Sequence, residues 1–217
     1  MNLRARPTPW KVTTSILVPC AAKHAVLLPE LMKQLTSQTA LPDEVIVSIS
    51  GTTAAPNLPP LPFRVRILTD AAKAYAGKNR NRAASAARGD VLIYQDADDV
   101  SHPQRIEIAK HLFGHFFVEH LLHGYTQSAV TPAWLAQRFL NHVDRARYVP
   151  YSYTHEFHNG NAVTTREVFR HVKWAENVAR GQDVVYNHAV RQRFPSRMVR
   201  LPVPLLAYRQ HLSTTRT

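Results

Sequence analysis

The chain has 217 residues, 45% hydrophobic and 19% charged, enough apolar material for one ordinary domain with a core, so wholesale disorder is excluded. Lys and Arg number 27 against 15 acidic residues, and the net charge of +12 with histidine neutral favours anionic partners such as nucleic acid, anionic membrane or phosphorylated metabolites. Cys20 is the only cysteine, which excludes an intrachain disulfide framework and fits a reducing compartment, and no apolar run approaches the roughly 18 residues of a membrane span.

Residues 1–11 read as a tail, rich in proline and charge. The basic start has no apolar segment behind it before Pro19, which argues against a signal peptide. Thr13 to Val18 is a β-branched run that reads as a buried strand stopped by Pro19. Leu27, Leu28, Leu31, Met32 and Leu35 fall on one face of a helix predicted over Val26 to Gln38, broken by Leu41-Pro42-Asp43. Glu44 to Ile49 is a second strand. The Pro-rich stretch from Thr52 to Pro62 must be a loop, and Arg64 to Leu68 is a third strand.

Alanine-rich Ala76 to Arg88 favours helix, with Gly89 where a left-handed C-cap is wanted. Val91 to Gln95 is a fourth strand, closed by Asp96-Ala97-Asp98-Asp99. Ser101, Pro103 and Gln104 resemble a capping box opening a helix with Ile106, Ala109, Leu112, Phe113 and Phe116 on its apolar face. That helix gives way to a strand somewhere between Gly114 and Tyr125. Further on, helices are predicted from Thr131-Pro132 to Arg147, over Arg166 to His171 and over Gln182 to Phe194, and strands over Met198 to Leu201 and Leu205 to Tyr208. The alternation in the first half argues for an α/β layered domain with a largely parallel central sheet. Ligands in such sheets bind beyond the carboxyl ends of the strands, where Pro19-Cys20-Ala21, Ser50-Gly51-Thr52 and the acidic tetrad fall.

The tetrad is the most informative motif. Three carboxylates within four residues repel one another, and a hard cation such as Mg²⁺ or Mn²⁺ relieves that repulsion while keeping positions open for phosphate oxygens. The same residues also read as a solvated acidic turn, with Asp99 or Ser101 capping the next helix. Upstream, Lys78 and Arg80 stand near a helix N-terminus and suit phosphate, although a basic surface helix has the same composition. Trp174 offers a face for a sugar ring or, as tryptophans more often do, fills the core. His155-Glu156-Phe157-His158 lacks zinc spacing.

Taken together these segments resemble family 2 glycosyltransferases of the GT-A fold. The resemblance rests on Arg80-Asn81, Arg88-Gly89-Asp90, Asp96-Ala97-Asp98-Asp99, and Pro103 with Arg105, and before them on Pro19, Gln38-Thr39, Pro42 and the strand Glu44 to Ile49. It covers about 110 contiguous residues. It implies a single Rossmann-like domain over 1–217, with a nucleotide-sugar half near 12–110 and an acceptor and catalytic-base half over 111–217. It further implies an inverting transfer from a UDP-, GDP- or dTDP-linked sugar to a hydroxyl acceptor such as a glycan or glycolipid.

By that resemblance, Pro19, Cys20, Ala21, Ser50, Gly51, Lys78, Arg80, Asn81, Asp96 and Ala97 contact the nucleotide sugar. Asp98, Asp96 and His211 hold Mn²⁺ or Mg²⁺, Asp96 also meeting the ribose, and Arg209 steadies phosphate charge. Gly181-Gln182-Asp183 resembles the family's Glu-Asp element, which makes Asp183 the general base. His158, Asn159, Gly160, Trp174 and Gln182 fall where the sugar and acceptor are shaped. A cytoplasmic location follows, with docking at a membrane surface open and no nucleic acid expected.

The sequence departs from the family pattern twice. Ser50-Gly51-Thr52-Thr53 replaces the acidic element that usually meets the base, leaving Ser50, Thr52 or Asp70 to substitute, and Gln182 replaces a glutamate, removing a like charge beside the proposed base. Two other readings stand beside this one. A basic nucleic-acid-binding module suits the net charge but not the scattered arginines, and a sugar nucleotidyltransferase usually wants glycines that Pro19-Cys20-Ala21-Ala22-Lys23 does not supply.

Overall fold

The computed structural model describes residues 2–149 and 161–209. Among them, nine strands form one sheet. Four of these, β1 (Thr14–Ala21), β2 (Glu44–Ser50), β3 (Arg64–Asp70) and β4 (Val91–Tyr94), make a parallel block in the order β3-β2-β1-β4. The sheet continues through β8 (Ala162–Thr165), antiparallel to β4, then β6 (His120–Thr126), antiparallel to β8, and β9 (Met198–Ala207), parallel to β6. Two-residue strands β5 (Val100–Ser101) and β7 (Arg147–Tyr148) each pair antiparallel with β9. The long registers are the parallel ones, as expected for a largely parallel α/β sheet.

Both faces of β1, β2 and β4 are covered, so these strands read as near-continuous apolar runs, whereas the edge strand β3 is partly exposed and alternates. Ile16, Val18, Val45 and Val47 pack toward α1 (Leu28–Thr36) and α3 (Arg105–His115), burying Leu31, Leu35, Ile108 and Leu112. Leu17, Ile46 and Leu92 face α2 (Ala76–Ala86), whose Ala83 and Ala84 allow close approach, and join residues of α5 (Arg166–His171) and α6 (Gln182–Arg193) in a second core. At the amino ends of the strands, carboxylates act as latches. Glu44 accepts from Ser15 Oγ (2.6 Å) and the Arg88 amide (2.5 Å), and Asp90 accepts from Thr13 Oγ1 (2.6 Å).

Several local expectations are corrected. Pro19 does not stop β1, which runs on to Ala21 beside β2; β4 has already turned away opposite Leu17, so on that side the proline has no ladder to break. The first helix begins at Leu28, because Ala22–Leu27 forms a 3₁₀ turn that leaves Val26 79% exposed. Gly89 is no left-handed cap; a Cβ there would lie 2.6 Å from Ser15 N, so the glycine serves close approach to β1.

Ser101 belongs to β5 instead of capping α3. The helix expected from Thr131 to Arg147 is only α4 (Pro132–Ala136), followed by a 3₁₀ stretch at Phe139–Arg145 and then β7. The two C-terminal strands are one, β9, passing through Pro202 and Pro204 with a shifted register against β6 at Gly124. The N-terminal tail packs on α3, Arg6 N donating to His115 O (2.7 Å) and Trp10 N to Gly114 O (2.9 Å). No helix among the described residues is long and apolar enough to cross a membrane.

Buried histidines tie stability to pH. Burial pushes His120 down to about 4, and its Nε2 lies 2.7 Å from Asn187 Oδ1, which makes that nitrogen the donor; burial also lowers His102, and lowers His123 well below its usual value. These side chains are neutral in the fold and take up protons on unfolding, so their contribution is complete above the unfolded value of 6.5 and drains as pH falls toward 4. For His120 alone the loss between pH 7.5 and 5 is about 2 kcal/mol. The urea midpoint should therefore fall across that interval, and His120→Gln should flatten the slope; a midpoint independent of pH would contradict this account.

Candidate active site

The carboxyl ends of β1, β2 and β4 meet at one edge. After Tyr94 the chain turns sharply, Asp99 N donating to Asp96 O at 3.2 Å. Gln95 braces the turn from inside, its Nε2 donating to Asp96 O (3.0 Å) and Asp99 O (3.2 Å) and its Oε1 accepting from Ser101 Oγ (2.5 Å) and from Arg105. Arg105 is fully buried beneath the turn and donates to Tyr94 O (2.7 Å) and His123 Nε2 (2.9 Å). His123 is thereby fixed as the neutral tautomer with Nδ1–H toward Gly124 O (2.8 Å). Burial draws Arg105 down to about 10, which leaves it cationic at neutral pH under three carboxylates.

Those carboxylates differ in their surroundings. Asp96 is ion-paired with Arg80 at 2.8 Å. Asp98 is raised by burial and then by Asp96, partly offset by His24 and Arg209. Asp99 stands well above the usual carboxylate range through burial, then Asp96 and Asp98, and accepts from the Arg209 backbone N–H; its Oδ1 is buried with no protein partner. A half-buried and a buried carboxyl that repel each other, and an orphaned oxygen, fit a hard divalent cation, which takes carboxylate oxygens and removes the repulsion. No three His, Cys, Asp or Glu side chains among the described residues converge as a ready metal cluster.

The neighbouring strand ends are clipped together. Asn79 on α2 donates to Cys20 O (3.2 Å) and Ser50 Oγ (2.9 Å), joining β1 to β2. Cys20 is buried and its thiol is pushed up to about 12 by burial and then by Asp98, which makes it an inert wall of the site. Gly51 takes φ 85 and donates to Asp70 O (2.8 Å), turning the chain away after β2. Arg82 binds Ile49 O (2.6 Å) and pairs with Asp70 (3.2 Å), so Asp70 is already engaged. Thr52 Oγ1 accepts from Ala54 N (3.0 Å). Pro19 and Ala97 are buried, Ala21 is half-buried, and Lys78 is exposed on the first turn of α2.

Arg80 and Asn81 serve a different purpose from the phosphate contact expected of them. Arg80 is 1% exposed and bridges Asp96 to Gln182 Oε1 (3.0 Å), its guanidinium carbon 4.6 Å over the Trp174 ring. Asn81 exchanges hydrogen bonds with the Trp174 backbone (2.9 Å each way) and donates to Glu176 (2.8 Å). Both belong to an internal clasp, because their polar atoms point into the protein. Trp174 is likewise no sugar platform. It is 1% exposed, stacked on Tyr186 with centroids 4.1 Å apart and edge-on to Tyr94 at 5.0 Å. The guanidinium of Arg209 pairs with Glu30 (2.7 Å) rather than standing free for phosphate.

Gln182 is buried and Asp183 half-buried on the first turn of α6, after Gly181 at φ 72. His158, Asn159, Gly160 and His211 lie outside the described residues. Arg105 entered the sequence reading only with Pro103 in the family resemblance, and Asn79 and Gln95 are functional supports that it did not single out. Their signal was present as polar residues in otherwise apolar surroundings, Asn79 on the packed face of α2 and Gln95 closing an apolar strand.

A parallel block with an acidic turn at its carboxyl edge, extended by a mixed sheet that returns an acid-bearing helix to that edge, is the GT-A architecture. The family described as glycosyl transferase family 2 matches residues 15–172, and the chain belongs to that family. No protein of curated function matches the sequence.

Among solved structures, TarS 1–349 of S. aureus in complex with UDP-GlcNAc superposes with a TM-score of 0.66 at 13% identity, covering 91% of this chain and 58% of that one. Glucosyl-3-phosphoglycerate synthase from Mycobacterium tuberculosis, with Mn²⁺, UDP and phosphoglyceric acid, gives 0.58 at 18% identity, covering 92% and 71%. A mannosyltransferase from Pyrobaculum calidifontis, with GDP-Man and Mn²⁺, gives 0.62 at 16%, covering 94% and 58%. The chain thus spans little more than half the length of TarS 1–349.

The buried stack predicts a stability phenotype. Trp174→Ala should cost about 3–5 kcal/mol, read as a lowered urea midpoint. A tryptophan that served only to stack on substrate would leave that midpoint unchanged.

Proposed function

We propose that this chain transfers a glycosyl group from a nucleoside diphosphate sugar to a hydroxyl acceptor with inversion at the anomeric carbon. The observation that carries the reading is the Asp96–Arg80–Gln182 bridge, which joins the acidic turn directly to the first turn of the helix bearing Asp183. The structures superposed above bind UDP- or GDP-linked ligands, and two hold Mn²⁺, which supports the donor class and the ion.

Asp98 and Asp96, the latter through the oxygen Arg80 leaves open, would hold Mn²⁺ or Mg²⁺, with His211 as a further ligand. A bound ion supplies Lewis-acid stabilisation of charge on the departing diphosphate. Lys78, exposed at the amino end of α2, adds a cation for the same phosphates, while the Cys20-Ala21 and Ser50-Gly51 ends wall the nucleoside. Asp183 accepts the proton of the acceptor hydroxyl as its oxygen bonds to the anomeric carbon. The bond from that carbon to the diphosphate oxygen breaks, and its electron pair leaves with the nucleoside diphosphate. The acceptor is a glycan or glycolipid hydroxyl, and the setting is cytoplasmic, at or near a membrane surface.

A screen of UDP-, GDP- and dTDP-sugars with and without Mn²⁺, read by thermal shift and nucleoside diphosphate release, tests this directly. One donor should stabilise the protein and turn over only with metal. Asp98→Ala should lose the metal-dependent part. Asp183→Asn should keep donor binding and lower turnover about 10²–10⁴-fold. Full turnover in Asp183→Asn removes the base from the scheme, and indifference to every donor removes the scheme.

A further inference from the structure

One motif finds no use in that reaction. Arg88-Gly89-Asp90 precedes β4, at the end of the sheet opposite the acidic turn. Gly89 packs against β1 and Asp90 latches Thr13, so the fold accounts for both. It does not account for the Arg88 side chain. That side chain is exposed, and its guanidinium has no hydrogen-bond or ion-pair partner among the described residues.

Arg88 lines an open cavity of about 360 Å³ together with Arg6, Arg166, Arg170 and Trp10. Two of these arginines are held in place by neutral carbonyls, which orient a guanidinium without cancelling its charge. Arg6 Nε donates to Phe113 O (3.1 Å) and Phe116 O (3.0 Å), and its guanidinium carbon lies 5.4 Å from the Trp10 ring. Arg166 donates through Nε and Nη2 to Gly89 O (3.1 and 2.9 Å).

The carboxylates around the cavity are taken. Glu167 is paired with Arg170 and His171 at 2.8 Å each, and Glu119 with Arg197 at 3.0 Å and Thr165 Oγ1 at 2.5 Å. Asp90 alone is not ion-paired, and its Oδ2 is held by Thr13 N (3.1 Å) and Oγ1 (2.6 Å). Arg6, Arg88 and Arg166 therefore bring three positive charges, none ion-paired, against one such carboxylate, with unused N–H groups at the cavity.

We propose that this cavity is a second ligand site, separate from the donor site, that binds the phosphate group of a phosphate ester. A phosphate offers several oxygens to several guanidinium forks, the arrangement in which arginine outperforms lysine. The ring of Trp10, 42% exposed at the rim, walls the organic part of the ester. The same chemistry comes from a soluble sugar or glycerol phosphate or from an anionic phospholipid headgroup, and the site stands whether or not the transferase reading does.

The test uses the full chain in EDTA. Calorimetric titration with inorganic phosphate and glycerol 3-phosphate is set beside flotation with phosphatidylglycerol and phosphatidylcholine vesicles. Saturable binding of glycerol 3-phosphate assigns a soluble ligand, and binding confined to phosphatidylglycerol assigns a headgroup. In either case Arg88→Glu should weaken binding at least about tenfold, and Arg88→Gln should do so by less, both with an unchanged melting temperature. Lys73→Glu beyond the carboxyl end of β3, an equal change of charge at the opposite end of the sheet, and Asp98→Ala in the acidic turn should both leave binding intact. No binding of any phosphate source, equal weakening by Arg88→Glu and Lys73→Glu, or indifference to Arg88→Glu overturns the proposal.

Discussion

A guanidinium buried in the middle of the molecule is the constraint on which the site depends. Arg80 is 1% exposed, and Asp96, its ion-pair partner, has a side chain 22% exposed, so the pair straddles the boundary between core and cleft. Taking a cation out of water is expensive, and a single carboxylate rarely compensates in full. Here the Gln182 carbonyl and the face of Trp174 share the task, while Nε remains without a partner. Removing Asp96 would strand the charge, at a cost of about 3–5 kcal/mol typical of a broken buried pair. The bridge therefore sets both the orientation of the acidic turn and the position at which α6 begins. Gly77 is part of the same fit, since a Cβ there would meet Ala175 O at 2.1 Å and push the Trp174 segment off α2.

The acidic turn is stabilised from beneath as well as from the side. Arg105 is cationic and fully buried under it, and the residue receiving its Nε–H is a histidine kept neutral by burial and by Arg105 itself. A protonated His123 would place two cations in contact inside the core, so its neutrality is a condition of the arrangement. Gln95 carries no charge yet ties the turn at both ends, which lets three carboxylates sit together without the chain unwinding to separate them. The uncompensated remainder, the orphaned Oδ1 of Asp99 and the raised Asp98, is concentrated where a cation can be added.

The parallel block was legible because β1, β2 and β4 are buried on both faces and appear as near-continuous apolar runs, the edge strand β3 alternates, and an alanine-rich helix lies between. The second half was less so, and for a definite reason. Its short helices and two-residue strands take their limits from β9, which gathers β5, β6 and β7, and no local periodicity encodes such partners. In the site, the acidic tetrad was readable because like charges at a strand end are conspicuous. The roles of Arg80, Asn81 and Trp174 were not, since residue type announces a charge, an amide or a ring but not which way it points. Asn79 and Gln95 went unnoticed because a polar residue satisfied inside a core leaves only a break in an apolar pattern, and Arg105 carried part of the resemblance but was not read as a cation buried under the turn.

The distribution of charge follows the polarity of the sheet. The acidic turn stands at the carboxyl edge, and three arginines there are engaged in ion pairs, Arg80 with Asp96, Arg82 with Asp70 and Arg209 with Glu30, while Lys78 stays exposed. At the amino edge the relation is reversed. Glu44 and Asp90 are consumed by backbone and hydroxyl donors, and arginines held by carbonyls keep their charge. One sheet thus presents an edge where three arginines are ion-paired and an edge where Arg6, Arg88 and Arg166 are not. A net charge of +12 alone would make every face of such a protein attract phosphate alike. Pairing at one edge and carbonyl support at the other are what make the two ends chemically distinct.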